Sequence, residues 1–201
     1  INSPAKPGLA VKGSVLLDAQ NNIEIRNRLI ASTDLSQASS LQDITLYSAS
    51  GRVFQSNETS VSLSDGLSSE PLQGDDLRVD AVTGIDLFAT EVNTASMSNT
   101  GSGNIRLIET AAGGALTLIK AQISDVTNTS GVVSVQTLST TDGDLSLQLA
   151  AVGDVSAPGS LSLRAGAALT LGTNADLVRP DGADADTDPD LMGGTVDLQA
   201  G

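Results

Sequence analysis

The chain has 201 residues, a formal net charge of −14, and neither cysteine nor histidine. That balance argues against nucleic acid and against an anionic membrane surface, both of which need Lys and Arg on the protein. A disulfide scaffold, a thiol nucleophile, the usual zinc sites and histidine acid–base chemistry are excluded outright.

Hydrophobic residues make up 39% of the chain, yet there are only two Phe, one Tyr and no Trp. A core of small aliphatics points to a narrow interior in which each layer resembles the next, since globular domains usually fill irregular space with aromatics. No apolar run reaches membrane-spanning length.

The first clear element is Val15-Leu16-Leu17-Asp18-Ala19: apolar, any residue, apolar, any residue, small. Strict alternation puts one set of side chains inside a strand and the other outside. After Gln20-Asn21-Asn22 comes a second alternating strand, Ile23-Glu24-Ile25, and then a third apolar segment at Leu29-Ile30. The phrase recurs at Ile44-Thr45-Leu46 and, after Val61-Ser62-Leu63 and a turn-rich stretch at 64–76, at Leu77-Arg78-Val79-Asp80-Ala81. Val82-Thr83-Gly84 then leads into Ile85-Asp86-Leu87.

Further copies follow at Ile105-Arg106-Leu107, Val133-Ser134-Val135 and Leu161-Ser162-Leu163-Arg164-Ala165. The second strand returns at Leu116-Thr117-Leu118, Leu145-Ser146-Leu147 and Leu169-Thr170-Leu171. Third segments are Ile123 with Val126, and Val152 with Val155. After an acidic stretch at 179–193, the last copy is Val196-Asp197-Leu198-Gln199-Ala200. The chain opens at Ile1 and closes on what reads as the start of another repeat, so a segment of a longer protein is expected.

The phrase starts at 15, 44, 77, 105, 133, 161 and 196, with steps of 29, 33, 28, 28, 28 and 35. Gly, Ser, Thr and Asp interrupt every candidate helix. The expectation is an all-β, right-handed parallel β-helix (solenoid) of about six to seven coils of roughly 28 residues, spanning 1–201 as one segment. The stretches 64–76 and 179–193 are expected to leave the coils as insertions. A lone three-strand coil has only water above and below it, so stacking is what buries its inward residues and pairs its backbone.

The repeated phrase resembles the filamentous haemagglutinin-like adhesins and related β-strand-repeat surface proteins of Gram-negative bacteria. The clearest match is Gly159-Ser160-Leu161-Ser162-Leu163-Arg164-Ala165-Gly166-Ala167-Ala168-Leu169-Thr170-Leu171. The resemblance implies a right-handed parallel β-helix, export, and a place on the cell surface or in the medium. It supplies no catalytic residues.

The strongest site candidate is a calcium site at Asp181, Asp184, Asp186, Asp188 and Asp190, because alternate carboxylates can converge on a cation that takes six to eight oxygens. Pro189 stands where a calcium loop places Gly, so the competing reading is a solvated acidic insertion. Asp142-Gly143-Asp144 and Gly74-Asp75-Asp76 pair carboxylates beside Gly and read better as turn chemistry. Thr117, Ser146 and Thr170 are expected to form a short outward hydroxyl column, with Asp86 and Glu24 at the same place on neighbouring rungs. Asn57-Glu58-Thr59 and Asn128-Thr129-Ser130 fit the N-glycosylation pattern, and chance explains them better.

The functional expectation is a structural or adhesive stalk or filament segment without catalysis, with no cofactor beyond Ca²⁺. Its partners would be a further copy joined head to tail, or a glycan or protein receptor. The alternatives are a carbohydrate-active β-helix enzyme, and a calcium-dependent glycan-binding or ice-binding module. Against the enzyme stands the shortage of aromatic platforms, and no basic residues cluster with carboxylates in the sequence.

Overall fold

The computed structural model describes residues 9–26, 29–33, 41–56, 72–110, 115–125, 127–137, 148–172, 176–178 and 190–200. The strands begin with β1 (Leu9–Lys12), β2 (Val15–Ala19), β3 (Ile23–Ile25), β4 (Leu29–Ser32), β5 (Ile44–Ser48), β6 (Val53–Gln55) and β7 (Leu72–Gln73). They continue with β8 (Asp76–Ala81), β9 (Ile85–Glu91), β10 (Thr94–Asn99), β11 (Ile105–Glu109), β12 (Leu116–Ile123) and β13 (Val132–Thr137). The last are β14 (Leu149–Ala151), β15 (Val155–Ser156), β16 (Ser160–Ala165), β17 (Leu169–Leu171), β18 (Asp176–Val178), β19 (Asp190–Met192) and β20 (Thr195–Ala200). Among the described residues there is no helix.

The strands form two 10-stranded sheets with parallel pairing throughout the named strands. The main path of the first sheet is β1-β4-β7-β9-β11-β13-β16-β20, and that of the second is β18-β19-β15-β12-β10-β8-β5-β2. Between β8 and β13 the chain alternates strictly, one strand to each sheet in turn. Parallel neighbours cannot be joined by a tight hairpin, and here the opposite sheet supplies the return path.

Register follows the alternating pattern. In the first sheet, Ile23, Val53, Ile85, Ile105, Val133, Leu161 and Val196 stand in one column from strand to strand. In the second, Val15, Ile44, Leu77, Ala95, Leu118, Ala151 and Leu171 do the same. Nearly all of these side chains are buried, and they belong to one continuous core cluster. A slip of one residue would turn a whole column outward, which is why β-branched and Leu side chains at every second position hold the register.

The columns correct one expectation. The recurring phrase is not a single stack. Its copies at Val15, Ile44 and Leu77 lie in the second sheet, whereas those at Ile105, Val133, Leu161 and Val196 lie in the first. Leu77 pairs with Ala95, and Ile105 pairs with Ile85. The even step of 28 from Leu77 to Ile105 therefore hides a change of sheet, because β9 and β10 insert between β8 and β11. An inward-facing phrase looks the same whichever sheet receives it. The stacking steps also vary, from 14 residues (Asp176 to Asp190) to 43 (Leu29 to Leu72).

Polar groups in the interior are matched by design of the register. Strand β9 carries a bulge, with Phe88 and Ala89 opposite the single Ile108 of β11. Gln55, buried on the neighbouring strand, accepts from the Phe88 and Ala89 amides at 2.8 and 2.9 Å and donates to the Ala89 carbonyl at 2.9 Å. Asn99, fully buried, accepts from the Gly84 amide at 3.1 Å and donates to the Ser102 carbonyl at 3.0 Å, which pins the turn before β11. In that turn Gly103 has φ 95°, and a Cβ there would stand 2.3 Å from the Thr83 carbonyl oxygen. Only glycine fits such an approach.

Candidate functional site

Three adjacent strands of the first sheet, β6, β9 and β11, begin on the same local pattern: polar or Gly, then Val or Ile, then an outward residue. Arg52-Val53-Phe54, Gly84-Ile85-Asp86 and Asn104-Ile105-Arg106 are the three copies. The aliphatic residue of each goes into the core, so the pleat turns Phe54, Asp86 and Arg106 to the outer face as register neighbours. Glu24 precedes them in the same row, opposite Phe54.

Around this row lies a shallow groove of about 260 Å³, lined by the three triplets, except the buried Ile105, and by Thr83. Backbone ladders hold its walls: the Val53 amide donates to Gly84 at 3.1 Å, and the Ile85 amide donates to Asn104 at 2.8 Å. The Asn22 side chain accepts from the Arg52 amide at 2.9 Å, and the Asn104 side chain accepts from the Val132 amide at 2.9 Å. Gly84, at φ 122°, contributes lining without a side chain to fill it.

The electrostatics are uneven. Arg106 pairs with Asp86 at 3.4 Å, both side chains being about half exposed. Arg26, 2.8 Å from Glu24, holds that carboxyl below its ordinary range, so Glu24 is ionised beside the groove. Arg52 has no carboxylate within ion-pair distance among the described residues; its guanidinium lies 3.9 Å from the centroid of the Phe54 ring. A guanidinium on a ring face is held by the ring quadrupole and loses little of its capacity to donate at its edge. The groove thus offers two guanidinium forks, one carboxylate and one ring edge.

Comparison of the chain with protein-family models, with curated proteins and with solved structures finds no match. The groove is therefore read from its own geometry.

Of the expected calcium ligands, Asp181, Asp184, Asp186 and Asp188 lie outside the described residues. Asp190 opens β19 and stands in register with Asp176 of β18. Among the described residues, no group of three or more acidic side chains is placed to hold a metal ion. Asp142 and Asp144 lie outside the described residues, as do Ser146 and the Asn57 glycosylation pattern.

Asp75 and Asp76 tie neighbouring strands together: Asn93 donates to Asp75 at 2.7 Å, and the Thr94 hydroxyl donates to Asp76 at 2.6 Å. The hydroxyl column is corrected, since Ala150 sits between Thr117 and Thr170 in the register. Asp86 and Glu24 belong to the other sheet, so they do not continue it. The Asn128 side-chain amide donates to the Gly103 carbonyl at 3.0 Å and is part of a turn.

Two features were missed in the sequence. The groove was missed because Ile105 was aligned with Leu77, which hid the neighbourhood of Asp86 and Arg106. The second is Glu109, which reads as the charged end of a strand and is in fact fully buried. The Val92 amide donates to its Oε1 at 2.8 Å, and the Thr90 hydroxyl meets its Oε2 at 2.6 Å. Burial pushes this carboxyl up to about 8, against the pull of those two hydrogen bonds and with the nearby Glu91 charge adding to the rise.

Proposed function

We propose that the chain is a stretch of a right-handed parallel β-solenoid from a large secreted or cell-surface bacterial protein, with a structural or adhesive role and no catalytic one. The observation that carries this reading is the strand-for-strand parallel register of the two sheets, with aliphatic columns running from β2 to β20. Each layer buries its neighbours' apolar faces, so the fold extends by adding layers and needs no closure. The strong acidity keeps such an extended surface soluble.

The right-handed sense follows the strong preference of parallel crossovers for that hand. Resemblance to haemagglutinin-like adhesins supports a Gram-negative cell surface, and about six to seven coils of uneven length fit the register. Among the described residues, no helix is long and apolar enough to cross a membrane.

Negative-stain electron microscopy of the chain, with calcium and then with chelator, tests the reading. Straight rods are expected in both. Filaments that form only with calcium would support a metal at the acidic stretch 181–190; compact globular particles would overturn the solenoid.

A further inference from the structure

We propose that the groove beside Phe54 binds a uronate residue of an acidic polysaccharide, its carboxylate held by Arg52 and Arg106 and its hydroxyls donating to Asp86. This deepens the adhesive reading and rests on it.

The argument starts from the arginines. Arg26, Arg78, Arg106 and Arg164 each stand against a carboxylate, at 2.8, 2.9, 3.4 and 3.1 Å. Arg52 alone among the described arginines has none, in a chain with 24 acidic residues and 10 basic ones. Its guanidinium is nevertheless held in place, 3.9 Å over Phe54. A cation that makes no ion pair among the described residues, its charge felt only by the more distant Glu24, is open to an external anion, and fixing it beforehand lowers the ordering cost of binding. Arg106 has the longest of the four pairings, in a half-exposed setting where such contacts contribute little and exchange freely.

Charge then selects the ligand. Two guanidiniums against Asp86, with Glu24 and Arg26 cancelling beside them, leave a local excess of one positive charge, while the whole chain carries −14. A densely charged polyanion would be repelled by the surroundings; a ligand with one carboxylate and adjacent hydroxyl donors satisfies both the arginines and Asp86. The planar fork of Arg matches a carboxylate in two-point contact. The volume of about 260 Å³ lies just below the usual range of closed small-molecule pockets, which suits one sugar of a chain crossing an open groove. Phe54 supplies the apolar edge for the sugar's C–H face.

The test is a titration of the isotope-labelled chain with trigalacturonate at low ionic strength, followed through the Gly84 and Asn104 amides. The expected result is saturable binding that weakens about tenfold for the fully methyl-esterified trimer. Arg52→Gln and Arg106→Gln should each weaken it by a similar factor while keeping the dispersed amide spectrum; Arg164→Gln, on the same sheet but away from the groove, should leave it unchanged.

Equal binding of acid and ester, equal losses at Arg52 and Arg164, or absence of binding by the folded chain would overturn the proposal. Equal binding of a triglutamate peptide would overturn the sugar assignment. Rods that ignore trigalacturonate would sink the site alone; globular particles that bind it would sink the surface-segment reading and leave the site.

Discussion

Replacing Glu109 by Gln should flatten a pH dependence that the wild-type chain carries in its core. The Thr90 hydroxyl lies 2.6 Å from Glu109 Oε2 and 3.1 Å from the Ile108 carbonyl oxygen. It has one proton and faces two acceptors when the carboxylate is ionised. With Glu109 protonated, the acid donates to Thr90 and Thr90 donates to Ile108, so every group in the chain is satisfied. The Val92 amide keeps its acceptor at Oε1 in either state.

Burial raises the folded-state value from 4.5 to about 8. A raised value contributes stability that is fully present below about 4.5 and disappears as pH rises through 8. At 1.36 kcal/mol per unit, the wild-type chain should lose about 4 kcal/mol between pH 5 and pH 8 relative to Glu109→Gln. Gln keeps an acceptor for Val92 and a donor for Thr90, so its own stability should be nearly flat in this comparison. Urea denaturation midpoints of both chains at pH 5, 6.5 and 8, converted with a common slope, give the difference. Parallel curves for the two proteins would mean that Glu109 is ionised or hydrated in the folded state, and would refute the reasoning.

Leu107 is fully buried between Leu87 and Val135, and Leu107→Ala should cost about 2–5 kcal/mol by denaturant unfolding, against less than about 0.5 for Leu16→Ala at a side chain 68% exposed. Gln55→Leu should remove the side-chain acceptor of the Phe88 and Ala89 amides in the β9 bulge, costing about 1–3 kcal/mol and speeding hydrogen exchange at those two amides first. Gly13→Ala meets nothing within 4 Å and should cost only the positive-φ strain of about 1–2 kcal/mol, whereas Gly103→Ala adds a collision with the Thr83 carbonyl and should cost clearly more in the same assay. Equal losses at the two glycines would show that the turn before β11 relaxes freely.

Strand positions and the aliphatic interior were legible in the sequence, because alternation at period two is a local property. Ile23, Val53 and Ile85 could each be placed on an inward face from their neighbours alone. Which strand lies against which was not legible, because every inward column uses the same few side chains. Leu77 would pack beside Ile105 as well as beside Ala95, and nothing local distinguishes them.

The groove depends wholly on that pairing, so its residues stayed scattered in the sequence even though the three triplets that build it share a pattern. Glu109 shows the opposite failure. A charged residue at a strand end reads as solvent-facing, although alternation from Ile105 and Leu107 already turns Glu109 inward.

The short step between β8 and β10 says where the chain can be edited. Deleting residues 76–93 would remove one complete layer, β8 with β9, and bring Thr94 to the place of Asp76 in the ladder on β5. Ile105 would then take the position of Ile85 against Val53, aliphatic on aliphatic, while Glu109 would lose its partners Thr90 and Val92 with the deleted layer. A cut of 28 residues, chosen by the spacing of the phrases, would instead hand a strand of one sheet to the other. Shortened or lengthened versions of this protein should therefore be designed in units of the ladder, whose length changes from layer to layer, and not in units of the repeat.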